Sequence, residues 1–214
     1  MVKDINYIYV PGDISLPPIL LLHGTGGDEM DLLAVADQLA PKHPKLAIRG
    51  RINEGGKWRY FERVDVNTFN LASLEHETDW LIQVVQQLVR KHGLLEQGML
   101  LLGYSNGANI GAYAILTRSE TPWQVAMLYH ARLITPVVGQ HNRTNQKIFA
   151  TYGEVDPLVT YSKFSQLMQA FQNQSAQVST FVSRNSHAVS PLEITATQLW
   201  LQANQLVIKS TLRN

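Results

Sequence analysis

The 214-residue sequence contains no cysteine. Disulfides, thiolate metal sites, cysteine nucleophiles and dithiol redox chemistry are therefore excluded together. Charge is also scarce, at 16% Asp, Glu, Lys and Arg against about 25% in ordinary soluble domains. Its 18 basic and 17 acidic residues leave a formal net charge of +1. With no long run of like charge, the chain offers no electrostatic footprint for nucleic acid or an anionic lipid surface. Near the start the longest apolar stretch is Ile19-Leu20-Leu21-Leu22, far short of the ~18 residues that cross a bilayer, and no basic-then-apolar signal layout precedes it. These absences predict a cytoplasmic protein with no stable membrane association.

What is present suits a packed core. The apolar fraction is 45%, and the length fits one ordinary to large domain. No internal repeat, low-complexity tract or long linker divides the chain, so a single domain over 1–214 is expected. Short apolar runs at Tyr7–Val10, Ile19–Leu22, Leu46–Ile48, Met99–Leu102, Val125–Tyr129, Lys147–Thr151 and Val178–Val182 read as strands. Segments of helical spacing lie between them: Leu32 to Ala40, Leu71 to Leu88 with a stop at Gly93, Ala108–Leu116, Tyr161–Phe171 and Pro191–Leu206. This alternation implies an α/β architecture, a mostly parallel sheet covered on both faces. Functional residues are then expected in the loops beyond the carboxyl ends of the strands.

One such loop reads Gly103-Tyr104-Ser105-Asn106-Gly107 and leads into the small residues Ala108, Gly111 and Ala112. This is a GxSxG strand–turn–helix, in which side chains at the two outer glycines would collide with neighbouring backbone and the turn lifts Ser105 Oγ clear. An ordinary serine in a glycine-rich turn is the competing reading. The two separate on whether an acid and then a histidine follow, the chain order of hydrolases of this topology. After Ser105 the sequence holds one aspartate, Asp156, and after Asp156 one histidine, His187. Ser105 would attack, His187 would carry the proton, and Asp156 would orient the imidazole. Glu154 is the competing acid. Oxyanion donors are expected from the backbone N–H of Asn106, at the helix start, and of Thr25, in His23-Gly24-Thr25-Gly26-Gly27-Asp28-Glu29. His23 is expected to support that loop by hydrogen bonding.

Other motifs fail on single residues. Gly24-Thr25-Gly26 begins a dinucleotide fingerprint, but Glu29 stands at the third glycine position; Gly50 to Gly55 has P-loop spacing, but Gly56 replaces the lysine. His43, His76, His92, His130 and His141 show no metal-ligand spacing, so neither a metal nor a cofactor is expected. Arg51 and Arg59 would suit an acidic group or a solvated surface. For the cluster Trp58, Tyr60 and Phe61, pocket lining and plain packing both fit.

Taken with Gly153-Glu154-Val155-Asp156-Pro157-Leu158-Val159 and the histidine before the last helix, these motifs resemble the phospholipase/carboxylesterase family of small α/β-hydrolases, relatives of acyl-protein thioesterases. The wording of the two glycine-rich motifs looks most like the bacterial subgroup associated with hydroquinone and quinone stress. The resemblance spans nearly the whole chain. It implies an α/β-hydrolase fold, the triad Ser105, Asp156 and His187, oxyanion amides at Thr25 and Asn106, and a substrate mouth near residues 57–61. Ser186 departs from the family's usual glycine before the histidine. The expected activity is cleavage of small or short-acyl carboxylic esters through an acyl-enzyme, without a large lid. Thioester, lysophospholipid or amide cleavage by the same triad is the alternative within enzymes, and a non-catalytic ligand-binding module is the alternative outside them. A homodimer is compatible with the sequence, and the segment from Leu206 to Asn214 is open to a frayed helix, an edge element or an interface.

Overall fold

The computed structural model describes residues 5–65, 68–136 and 141–207; most of the C-terminal segment left open above lies outside them. In chain order the elements are β1 (Tyr7–Val10), β2 (Ile19–Leu22), α1 (Leu33–Leu39), β3 (Lys45–Ile48), β4 (Ile52–Glu54), β5 (Lys57–Arg59) and α2 (Leu71–His92). They continue with β6 (Met99–Tyr104), α3 (Asn106–Thr117), β7 (Trp123–Tyr129), β8 (Lys147–Gly153), α4 (Tyr161–Asn173), β9 (Gln177–Ser183) and α5 (Pro191–Ala203). Seven strands form one sheet in the order β1-β3-β2-β6-β7-β8-β9. Within this sheet the β1–β3 pair is antiparallel and the other five pairs are parallel. The mostly parallel α/β sheet expected from the alternation is what the chain forms.

Strand composition follows from two-sided burial. In β2 and β6 the runs Ile-Leu-Leu-Leu and Met-Leu-Leu-Leu are fully enclosed, as parallel strands with helices on both faces require. Alternate side chains serve opposite faces: Leu20, Leu22 and Leu101 pack in a cluster with residues of α2, α3 and α4. Ile19, Leu21, Leu100 and Leu102 join residues of α1 and α5. Helix α2 begins where Asn70 Oδ1 accepts the Ser73 N–H at 3.1 Å and ends at Gly93 in the left-handed conformation, the stop anticipated from the sequence.

Three differences from the sequence reading concern element ends. Helix α3 starts at Asn106 rather than Ala108, α5 stops at Ala203, and α1 is shorter. An unanticipated hairpin, β4–β5, turns at Gly55 and Gly56, both at positive φ. Three-residue strands are too short for an alternation to register.

Parallel register aligns the carboxyl ends. Tyr104 of β6 pairs with Tyr129 of β7, Tyr129 with Thr151 of β8, and Gly153 of β8 with Ser183 of β9. Residues just beyond these positions therefore emerge along one edge. Close packing at that edge depends on Gly107, where an added Cβ would fall on the Leu22 and His23 carbonyl oxygens of the β2 end. Gly107→Ala is expected to cost ~2 kcal/mol or more as an overpacking change, lowering Tm by several degrees; a thermal unfolding profile matching wild type would contradict this packing.

Candidate active site

Ser105 sits between β6 and α3 at φ 49° and ψ −111°, a conformation that costs a non-glycine residue about 1–3 kcal/mol. The surrounding backbone holds it there. Its own N–H donates to the Tyr129 carbonyl at 2.9 Å, and the Gly107 N–H donates to the His23 carbonyl at 3.0 Å. A Cβ on Gly103 would lie 2.7 Å from Ala108 Cα, so both outer glycines of GxSxG are required for the reason anticipated.

Two distant loops meet this serine. His187 Nε2 lies 2.8 Å from Ser105 Oγ, and His187 Nδ1 lies 2.7 Å from Asp156 Oδ2. Asp156 is itself pinned, since its Oδ1 accepts the N–H groups of Leu158 and Val159 at 2.8 and 3.0 Å. The His187 loop approaches β8 across Gly153, where any Cβ would strike the carbonyls of Asn185 and Ser186. Tyr104 Oη donates to the His187 carbonyl at 2.8 Å. Burial lowers the His187 pKa below its ordinary value; Asp156 opposes this without reversing it. Glu154, the competing acid, is exposed, and among the described residues its carboxylate pairs with Arg184, at 4.0 Å.

Sequence spacing did not connect His130 to this site. Its Nδ1 lies 2.9 Å from the same Asp156 Oδ2, and its Nε2 lies 3.2 Å from Glu193 Oε1; the three side chains are wholly buried. The other oxygen of Glu193 accepts the Ser190 N–H at 2.8 Å in the capping box of α5. His130 also adopts a positive φ of 53° just past β7. Burial alone would depress its pKa, but the hydrogen bonds and charges of Glu193 and Asp156 together raise it. Desolvation pushes both carboxylates up, but the histidine contacts together with further hydrogen bonds hold them below their ordinary values. The only available signal was that His130, like Ser105 and Asp156, follows an apolar run.

His130, Asp156 and His187 are also the one group among the described residues with the donor types of a metal site, their atoms lying within 4.8 Å of one another. Each ring nitrogen faces a hydroxyl or carboxylate at hydrogen-bond or ion-pair distance, so the cluster is suited to holding and moving protons.

The remaining expected residues divide. A cavity of about 190 Å³ opens over Ser105 and His187, and Thr25, Asn106 and Arg59 line it. Trp58, Tyr60 and Phe61 do not. Tyr60 and Phe61 are core side chains with no exposure: Tyr60 Oη donates to the Ile48 carbonyl at 2.5 Å, and Phe61 packs edge-on against Phe69. Trp58 lies under Arg49, 5.3 Å from its guanidinium carbon. Arg51 pairs with Glu77 at 2.7 Å, away from the cavity. His23 behaves as anticipated: Nδ1 contacts the Gly24 carbonyl at 2.6 Å and Nε2 accepts the Gly50 N–H at 3.0 Å.

A strained nucleophile-type turn at the carboxyl edge of this sheet, met by a histidine and an aspartate from later loops, is the layout of α/β-hydrolases. The phospholipase/carboxylesterase family model matches residues 4–205, and the chain belongs to that family of hydrolases. The hydrolase candidate MhqD of Bacillus subtilis (strain 168) is 28% identical over 195 residues, 91% of this chain and 96% of MhqD. A carboxylesterase from Bacillus cereus superposes with a TM-score of 0.90 at 27% identity, covering 94% of this chain and 95% of its own. YahD, solved with malic acid, does so with a TM-score of 0.87 at 34% identity, covering 94% and 99%. No helix among the described residues is long and apolar enough to cross a membrane.

Because the His130 pKa is raised on folding, its stabilising contribution is complete well below 6.5 and is lost as pH rises through the folded value. Removing the imidazole takes a partner from each of two buried carboxylates. His130→Gln should therefore destabilise by ~3 kcal/mol, with a larger Tm deficit at pH 6 than at pH 9; a deficit independent of pH would refute a charged His130.

Proposed function

We propose that the protein hydrolyses carboxylic esters of small or short-acyl substrates through an acyl-enzyme on Ser105. One observation carries this reading: the continuous line from Ser105 Oγ to His187 Nε2 at 2.8 Å and from His187 Nδ1 to Asp156 Oδ2 at 2.7 Å, at the floor of a cavity. The carboxylesterase relative supports the choice of ester.

In this reading His187 takes the Ser105 proton as Oγ adds to the ester carbonyl, and returns it to the departing alcohol oxygen. Asp156 holds the Nδ1 proton and stabilises the imidazolium between the two steps. Water, deprotonated by the same imidazole, then attacks the acyl-serine and releases the acid, restoring Ser105. Developing oxyanion charge would be met by the Asn106 N–H at the positive end of α3 and by the Thr25 N–H, donors of the kind worth ~2.7–4 kcal/mol each. At about 190 Å³ the cavity is smaller than the ~300–1,000 Å³ of typical small-molecule pockets, which favours short acyl groups.

Ser105→Ala should abolish turnover of 4-nitrophenyl butyrate and labelling by a fluorophosphonate while leaving the unfolding transition in place; retained turnover would remove Ser105 from the chemistry. Asp156→Asn should lower kcat by roughly 10⁴-fold, the effect of the equivalent change in a serine protease. The base must be neutral to act, and its pKa lies below the ordinary 6.5. The acid limb of kcat/KM should accordingly have its midpoint below that value, with activity falling as pH drops; a midpoint above 7 would contradict a lowered His187 pKa.

A further inference from the structure

Three arginines and no acid line the cavity over Ser105: Arg59, Arg63 and Arg132. Nearly charge-balanced as a whole, the chain concentrates this excess at one place. Glu54 is the carboxylate within ion-pair distance of them among the described residues, and it serves two, with Arg63 Nε at 2.7 Å and Arg59 Nη1 at 3.7 Å. No carboxylate lies within that distance of Arg132 among the described residues; its Nη1 donates to the Leu158 carbonyl at 3.0 Å and its guanidinium sits 4.8 Å over the Phe69 ring. Arg59 is only 3% exposed. A buried cation with so little compensation is costly. Desolvation, together with the charges of Arg63 and Arg132, pulls its pKa below the ordinary value against the opposing effect of Glu54.

The nucleophile helix itself holds the arginine-bearing loops in place. Asn106 Oδ1 accepts the Tyr60 N–H at 2.7 Å, next to Arg59, and Asn109 Oδ1 accepts the Arg132 N–H at 2.8 Å. Arg59 is further tied to the candidate oxyanion loop, its Nη1 donating to Thr25 Oγ1 at 3.0 Å. Asn106 lines the cavity, and its buried Nδ2 has no hydrogen-bond partner among the described residues, so one more donor there awaits an acceptor.

Building on the hydrolase reading above, we infer that the ester this site takes carries a negatively charged group, a carboxylate in its smallest form, received by Arg132, Arg59 and Arg63 beside Ser105. Guanidinium forks match carboxylate oxygens in pairs and are weakly hydrated, which suits a half-enclosed cavity. The charge partner that Arg132 lacks is supplied by the substrate. Hydrophobic esters of equal length leave Arg132 without a charge partner and are poorer substrates, because the penalty of unmatched polar groups falls on the complex.

Two pairs of esters test this and locate the charge. The acyl pair is the 4-nitrophenyl monoester of adipate against 4-nitrophenyl hexanoate; the alcohol pair is 4-butanoyloxybenzoate against 4-butanoyloxybenzamide. Wild type should favour the anionic member of at least one pair by tenfold or more in kcat/KM, after subtraction of uncatalysed hydrolysis. Arg132→Gln should reduce that ratio about tenfold, and Arg63→Gln, where Glu54 already supplies a charge partner, should reduce it less. A ratio near one in both pairs, or a ratio unmoved in both variants, overturns the anionic subsite and leaves the hydrolase reading standing. Adipate binding, measured by calorimetry, needs no turnover. Binding weakened about tenfold by Arg132→Gln, with neither ester pair hydrolysed, would uphold the subsite and sink the hydrolase reading; adipate that binds wild type and Arg132→Gln alike counts against the subsite.

Discussion

The fully buried carboxylate of Asp156 is the point on which this site depends. An ionised carboxylate has no business in a protein interior unless its oxygens are met by donors and opposite charge. Oδ1 is met by two backbone N–H groups and Oδ2 by two imidazoles. Those donors arrive from the loops after β7, β8 and β9, so satisfying one side chain requires the sheet register, the loop paths and the position of α5 to agree. Glu193 extends the requirement by facing the far nitrogen of His130 while capping its own helix.

This alternation of carboxylate and imidazole sets the electrostatics of Ser105's partner. With His130 drawn toward the charged form between Asp156 and Glu193, the negative field felt by His187 is partly cancelled, and burial then governs its proton affinity. A neutral imidazole at Ser105 is the state that a general base requires. The surplus of guanidinium groups on the cavity wall acts in the same direction, since Arg132 also disfavours a second positive charge on His187.

The two asparagines of Gly-Tyr-Ser-Asn-Gly-Ala-Asn show how one helix start organises more than a nucleophile. Asn106 secures the segment after β5 and Asn109 secures the segment after β7. Small residues elsewhere on α3 let it approach the strands, as Gly107 does at β2 and Gly111 does at Leu101. Strain at Ser105 is therefore sustained by a dense set of backbone contacts rather than by the serine itself.

Strand and helix identity, the parallel sheet and the Ser–Asp–His order were legible in the sequence because each rests on local pattern: aliphatic runs of four, a glycine stop, GxSxG, a single aspartate and then a single histidine. The aromatic cluster misled in part, because Trp58, Tyr60 and Phe61 signal apolar burial without saying whether a cavity or a core receives it; Tyr60 and Phe61 went to the core. His130, Glu193, Arg63 and Arg132 carried no spacing signal. Their convergence is set by strand register and loop path between residues far apart in the chain, 63 positions in the ion pair of His130 with Glu193, and no local periodicity encodes such a meeting. Sequence determined which chemistry was available and on which edge of the sheet it would emerge. Only the tertiary structure decided which charges face one another there, because electrostatic partnership depends on distance in space and on exclusion of water.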